Sequence, residues 1–240
     1  METLNIENIY LLATTAFSVG ILHTILGPDH YLPFISLSLS EKWSLRKTLS
    51  IAIICGLGHT LVSVIIGSTG FFIGSSLESI ETIDGIRGDL AAWLLVSFGF
   101  LYMTWGIKTA ISGKIHSHVH AHDKGIKHSH EHDHLETDHK HVHIQETKKF
   151  SSWFIFIVFI LGPCEALIPL IMYPAIQSQY GAVLLISIIF SLSTIGTMLI
   201  LTILGYKGAQ KFQSKKFEKY SHFIAGLIIF LAGLGIIFGL

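Results

Sequence analysis

The chain has 240 residues, half of them hydrophobic and only 13% charged, with 16 acidic side chains against 16 basic ones. Mean hydropathy is +0.60, whereas a soluble domain carries about a quarter charged residues, so an ordinary soluble fold is excluded. The zero formal net charge says little, because the charges divide between the two sides of a membrane, and no nucleic-acid partner is expected.

In chain order, the N-terminus lacks the basic region and small-residue cleavage site of a secretory leader, so the first apolar run reads as a span. Apolar runs of about 20 residues, the length that crosses a bilayer as a helix, then recur along the chain. They predict an all-α polytopic protein with six transmembrane helices at 9–39, 49–73, 89–111, 150–176, 180–204 and 221–240, the first bent at Gly27-Pro28. Lys42, Arg46 and Lys47 follow span one, seven lysines counting Lys108 follow span three, and Lys207, Lys211, Lys215, Lys216 and Lys219 follow span five. The other loops hold Glu78, Glu81, Asp84 and Asp89 with only Arg87, or no charge. By the positive-inside rule both termini face out of the cell and the basic loops face the cytoplasm. The protein is expected in the cell inner membrane, in contact with lipid, with a homo-oligomer as one arrangement.

The chain divides into a first three-helix repeat (1–111), a loop (112–149) and a second three-helix repeat (150–240). Span one contains Leu26-Gly-Pro-Asp-His-Tyr-Leu-Pro33, and span four contains Leu161-Gly-Pro-Cys-Glu-Ala-Leu-Ile-Pro169. Three spans separate these copies, so they enter from opposite sides, as in inverted repeats whose broken helices build a site near the midplane. Each proline removes a helical hydrogen bond, and the freed polar groups are tolerated at that depth where they line a cavity.

Apart from Asp89 at the very start of span three, Asp29 and Glu165 are the only carboxylates inside the predicted spans, and no lysine or arginine lies at comparable depth. Around them stand His23, His30, His59 and Cys164. An intramembrane ionisable side chain costs several kcal/mol and marks a functional site. Imidazole with carboxylate and one thiol fits a divalent transition metal better than magnesium or calcium, which take oxygen alone. The expected central site is Asp29, His30 and His59, with Glu165, Cys164 and His23 as further ligands. Protonation of Asp29 or Glu165 offers a route to proton coupling. A lone histidine or cysteine in such a helix is otherwise a packing residue. Two cysteines, Cys55 and Cys164, exclude a disulfide framework.

His23, Asp29-His30 and Gly58-His59-Thr60 resemble the signatures of the nickel/cobalt transporter superfamily, with its six-span efflux proteins and urease accessory (UreH-like) membrane proteins. That resemblance implies metal recognition by His23, Asp29, His30 and His59. The duplicated Gly-Pro segments also resemble the thiol-disulfide electron carriers of the DsbD and cytochrome c biogenesis type. Those have a cysteine where this chain has Asp29 in span one and Cys164 in span four.

Between His116 and His143 there are eleven histidines in 28 positions, with few apolar residues. The composition predicts a disordered tract that binds metal and meets a metallochaperone or an enzyme-maturation protein. Together these features predict a non-enzymatic transporter of a divalent metal, nickel or cobalt foremost and zinc next, coupled to an ion gradient and holding no permanent cofactor. The alternatives are a DsbD-like thiol and electron carrier, or an accessory protein delivering metal to urease or hydrogenase.

Overall fold

The computed structural model describes residues 6–72, 77–111, 116–121, 127–132, 147–162, 164, 166–211 and 215–239. In order these form α1 (Ile6–Leu26), a 3-10 turn (Pro28–His30), α2 (Leu32–Ser40), α3 (Leu45–Phe72) and α4 (Leu77–Ile111). A β-hairpin follows, β1 (His116–Ala121) and β2 (Lys127–His132), then α5 (Thr147–Leu161), α6 (Leu167–Ile176), α7 (Tyr180–Lys211), α8 (Lys215–Lys219) and α9 (Ser221–Ile237).

Both Gly-Pro sites interrupt helices. α1 stops at Leu26 and α2 starts at Leu32, while α5 stops at Leu161 and α6 starts at Leu167. Among the described residues, four helices are long and apolar enough to cross a membrane: α1, α3, α4 and α7. The segments Ser152–Leu161, Leu167–Ile176 and Ser221–Ile237 are shorter apolar helices. Large apolar side chains face outward from all of the long helices, Phe17, Ile54, Trp93 and Leu184 among them. An apolar exterior of this extent belongs against lipid, and the protein is an integral membrane protein.

Two features differ from the sequence reading. The third span was expected from residue 89, but α4 begins at Leu77, so Glu78, Glu81, Asp84, Arg87 and Asp89 are helical rather than loop. Hydropathy misses this turn because Asp84 and Arg87, three apart on one helix face, pair with each other. Within the histidine-rich tract, expected to lack regular structure, β1 and β2 pair antiparallel with His116 opposite His132, His118 opposite His130 and His120 opposite His128. Cross-strand pairing satisfies backbone groups without any apolar core.

The buried interior has two main parts. One gathers Phe34, Leu37, Cys55, Tyr102, Phe159 and Ile229 from α2, α3, α4, α5 and α9. The other gathers Ala16, Cys164, Leu167, Ile186 and Phe190 around α1, α6 and α7. α4 and α9 are drawn together by small residues: a Cβ at Gly99 or Gly106 would run into the backbone of Phe230 or Phe223, and one at Gly226 into that of Met103. Such stripes let helices approach closely in a bilayer, where the hydrophobic effect no longer holds them together.

Candidate metal centre

The two helix breaks converge on three imidazoles. His23 lies on the last turn of α1, His30 closes the 3-10 turn after Pro28, and His59 lies in α3. Ring centroids are 4.6 Å apart for His23 and His30, 5.3 Å for His30 and His59, and 6.3 Å for His23 and His59. One ring nitrogen from each lies within 4.8 Å of the others. His30 and His59 are each only 4% exposed.

The breaks also orient these rings. Pro163 has no N–H, so the carbonyl of Phe159, four residues earlier, loses its helical donor. His59 Nδ1 lies 3.2 Å from that oxygen, and since a carbonyl only accepts, the Nδ1–H donates. His30 Nδ1 is 3.1 Å from the Gly27 carbonyl and 3.3 Å from Asp29 Oδ1, which again places the proton on Nδ1. In the neutral rings Nε2 is left with a free lone pair. Nε2 of His23, His30 and His59 are all buried without a hydrogen-bond partner. Buried polar atoms are nearly always paired, so three orphans in one cluster form a nitrogen donor set.

Gly27 is required here by space: a Cβ on it would lie 2.6 Å from His30 Nδ1. Asp29 stands behind His30 in the manner of a carboxylate that fixes a ligating imidazole from its far side. Cys164 is fully buried against Ala16, Leu167 and Phe190 and is outside the three-histidine group. Glu165 lies outside the described residues.

A polar pair absent from the sequence reading holds the second break. Asp84 in α4 is fully buried and paired with Arg87. Arg87 Nη2 donates to the carbonyls of Ile160 at 2.9 Å and Gly162 at 3.1 Å. The backbone N–H of Cys164 donates to Asp84 Oδ2 at 3.2 Å. Asp84 is therefore a further carboxylate within an apolar helix, and Arg87 accompanies it there. The i, i+3 spacing of Asp84 and Arg87 was the available signal, masked by the surrounding Glu78, Glu81 and Asp89.

The fold and this arrangement define a helical membrane protein with a polar centre built at paired helix breaks. Residues 31–235 match the cytochrome c biogenesis protein transmembrane region, and the chain belongs to that family. No curated protein and no solved structure matches the chain. The family assignment corrects the nickel/cobalt transporter resemblance, which rested on short segments between His23 and Thr60. The duplicated Gly-Pro architecture was the better guide. As a family, the match favours the thiol and electron-transfer alternative over metal transport. It begins one residue after His30, so two of the three clustered histidines precede it.

Proposed function

We propose that this member of the family passes a transition-metal ion through the membrane by way of His23, His30 and His59. The observation that carries this reading is the set of three buried, unpartnered Nε2 atoms. Imidazole nitrogens suit nickel, cobalt, copper and zinc, and the metal here is cargo. An arriving ion exchanges part of its water shell for the Nε2 lone pairs, while Asp29 contributes negative charge behind His30. Six spans in two inverted halves, with the basic loops cytoplasmic, would bring the histidine-rich tract to the inner face, where it collects or receives the ion. There it would also meet a metallochaperone or maturation protein.

Flux of nickel, cobalt and zinc in everted and right-side-out vesicles tests the reading and gives direction. Wild type is expected to move at least one of these ions, with His59→Ala and Asp29→Asn at least tenfold slower. Absence of flux in both orientations would sink the proposal.

Thiol and electron transfer is the second reading, favoured by the family match and by Cys164 directly after Gly162-Pro163. Dithiol chemistry needs two sulfurs with Cα atoms about 4.4–6.8 Å apart. Cys55 and Cys164 are free and belong to separate parts of the interior, so a redox role would require a partner's thiol. Cys164→Ser then abolishes activity, and Cys164 traps a mixed disulfide with a thioredoxin-like protein. Under the metal reading Cys164→Ser leaves flux unchanged.

A further inference from the structure

Fifteen histidines are present, eleven in the tract between His116 and His143. Three of the other four form the imidazole cluster, and the fourth, His222, opens α9 elsewhere. Its Nδ1 lies 2.8 Å from Tyr102 Oη, and the same hydroxyl donates to Glu41 Oε1 at 2.8 Å. Ser40 Oγ is 3.2 Å from that oxygen, and Trp105 packs edge-on against the His222 ring at 4.9 Å. Tyr102 is buried, whereas Glu41 and His222 are each half-buried. A hydroxyl shielded from solvent thus bridges two titratable groups that both reach towards it.

We propose that Glu41, Tyr102 and His222 form a proton-exchange site, separate from the imidazole cluster, that couples proton uptake to the position of α2. Tyr102 has one proton, which it gives to Glu41, so Nδ1–H of His222 donates to the Tyr102 oxygen. When His222 takes a proton at Nε2 it becomes the imidazolium, because imidazole is a stronger base than a carboxylate, and the Nδ1–H and Tyr102 O–H protons stay in place. The balance is one proton gained, and it rests on His222 across the Tyr102 hydroxyl from the Glu41 carboxylate. The Glu41 bond to Tyr102 is charge-assisted, the stronger kind, and it is reinforced by the imidazolium on the other side of the hydroxyl.

That bond anchors the end of α2. α2 is nine residues long, about 13 Å at 1.5 Å per residue, and it runs from the His30 turn to Ser40. Seven of its residues are buried, so it transmits displacement as a packed element. Around the triad α4 supplies Tyr102 and Trp105, α9 supplies His222, and the end of α2 supplies Ser40 and Glu41. The nearby charges are Lys42 and Glu218 of α8, paired with each other at 2.7 Å. Loss of the proton from His222 weakens the hold of the α4–α9 pair on α2 at the end opposite the metal site.

This inference rests on the metal-transport reading. The test uses the full chain in proteoliposomes with an internal pH dye and an internal zinc dye. Wild type is expected to show pH change in step with zinc movement. Tyr102→Phe keeps the ring and removes the bridge; it should bind zinc within twofold of wild type in detergent and lose at least tenfold of the zinc-coupled pH change. Glu41→Gln and His222→Gln should flatten the pH profile of flux. Zinc flux with wild-type proton coupling in Tyr102→Phe overturns the site, and so does loss of zinc binding in that variant, which would mark a structural staple. If wild type moves none of zinc, nickel and cobalt, the transport reading fails first and this coupling role falls with it; if it moves nickel or cobalt but not zinc, the same measurements are made with a dye for that ion.

Discussion

The N–H of Cys164 and the carbonyl of Ile160, which an unbroken helix would join to each other, are each held by α4 instead. Asp84 accepts from the one and Arg87 donates to the other. A helix end leaves such groups without intrahelical partners, and here an ion pair supplies both halves of the missing bond.

Removing one member of that pair leaves the other buried and uncompensated. Arg87→Met should destabilise the protein by about 3–5 kcal/mol, the usual cost of breaking a buried ion pair. Asp84→Leu with Arg87→Met should recover part of that loss, because no lone charge remains. Unfolding in mixed micelles reads both; equal stability of the single variant and wild type would refute the clamp.

Asp29 acts on His30 from the side away from the cluster centre. Asp29→Asn is therefore expected to weaken metal affinity by about 10–100-fold, as loss of a group behind a ligating histidine does, without abolishing binding. His30→Ala should cost more than Asp29→Asn. The concentration dependence of flux separates the two, and a larger effect from Asp29→Asn would make the carboxylate the principal ligand.

Cys55 and Cys164 are both fully buried. Membrane-permeant maleimide should leave the folded protein unlabelled and modify two sites per chain after denaturation. Rapid labelling of Cys164 in the native state would favour the thiol reading.

Metal binding by the histidine-rich tract, as proposed, requires neutral imidazole. Its capacity should fall as pH drops through about 6.5, with most zinc released by pH 5.5. Equilibrium dialysis of wild type against a variant with all eleven tract histidines replaced by Asn isolates this component. Retention of the full difference at pH 5.5 would remove the histidines as its cause.

Much of this architecture was legible because its signals are local. Gly-Pro at 27–28 and 162–163 marks both helix breaks, and isolated histidines in apolar runs are conspicuous at 23, 30 and 59. The convergence of those three was not readable from spacing alone, since His59 comes from a different helix and is oriented by the Phe159 carbonyl that Pro163 leaves free. Asp84 and Arg87 were hidden for the opposite reason. Their partners are backbone groups some 75 residues away, and no side-chain pattern announces a backbone acceptor. The Tyr102 bridge escaped notice because its three members come from three separate segments. The family was misjudged where a short motif outweighed a longer architectural likeness.

The glycine-lined contact between α4 and α9 has a consequence for how the chain is made. α9 is synthesised more than a hundred residues after α4, and until it arrives Gly99 and Gly106 leave a bare furrow along α4 that lipid must fill. Asp84 and Arg87 likewise wait for the α5 break, which also comes later in the chain. α4 therefore enters the bilayer as an unfinished surface and is completed from two directions by segments still on the ribosome. Stalling synthesis before residue 221 should leave a nascent chain that membrane quality-control proteases recognise, even though α1, α3, α4 and α7 are already in place.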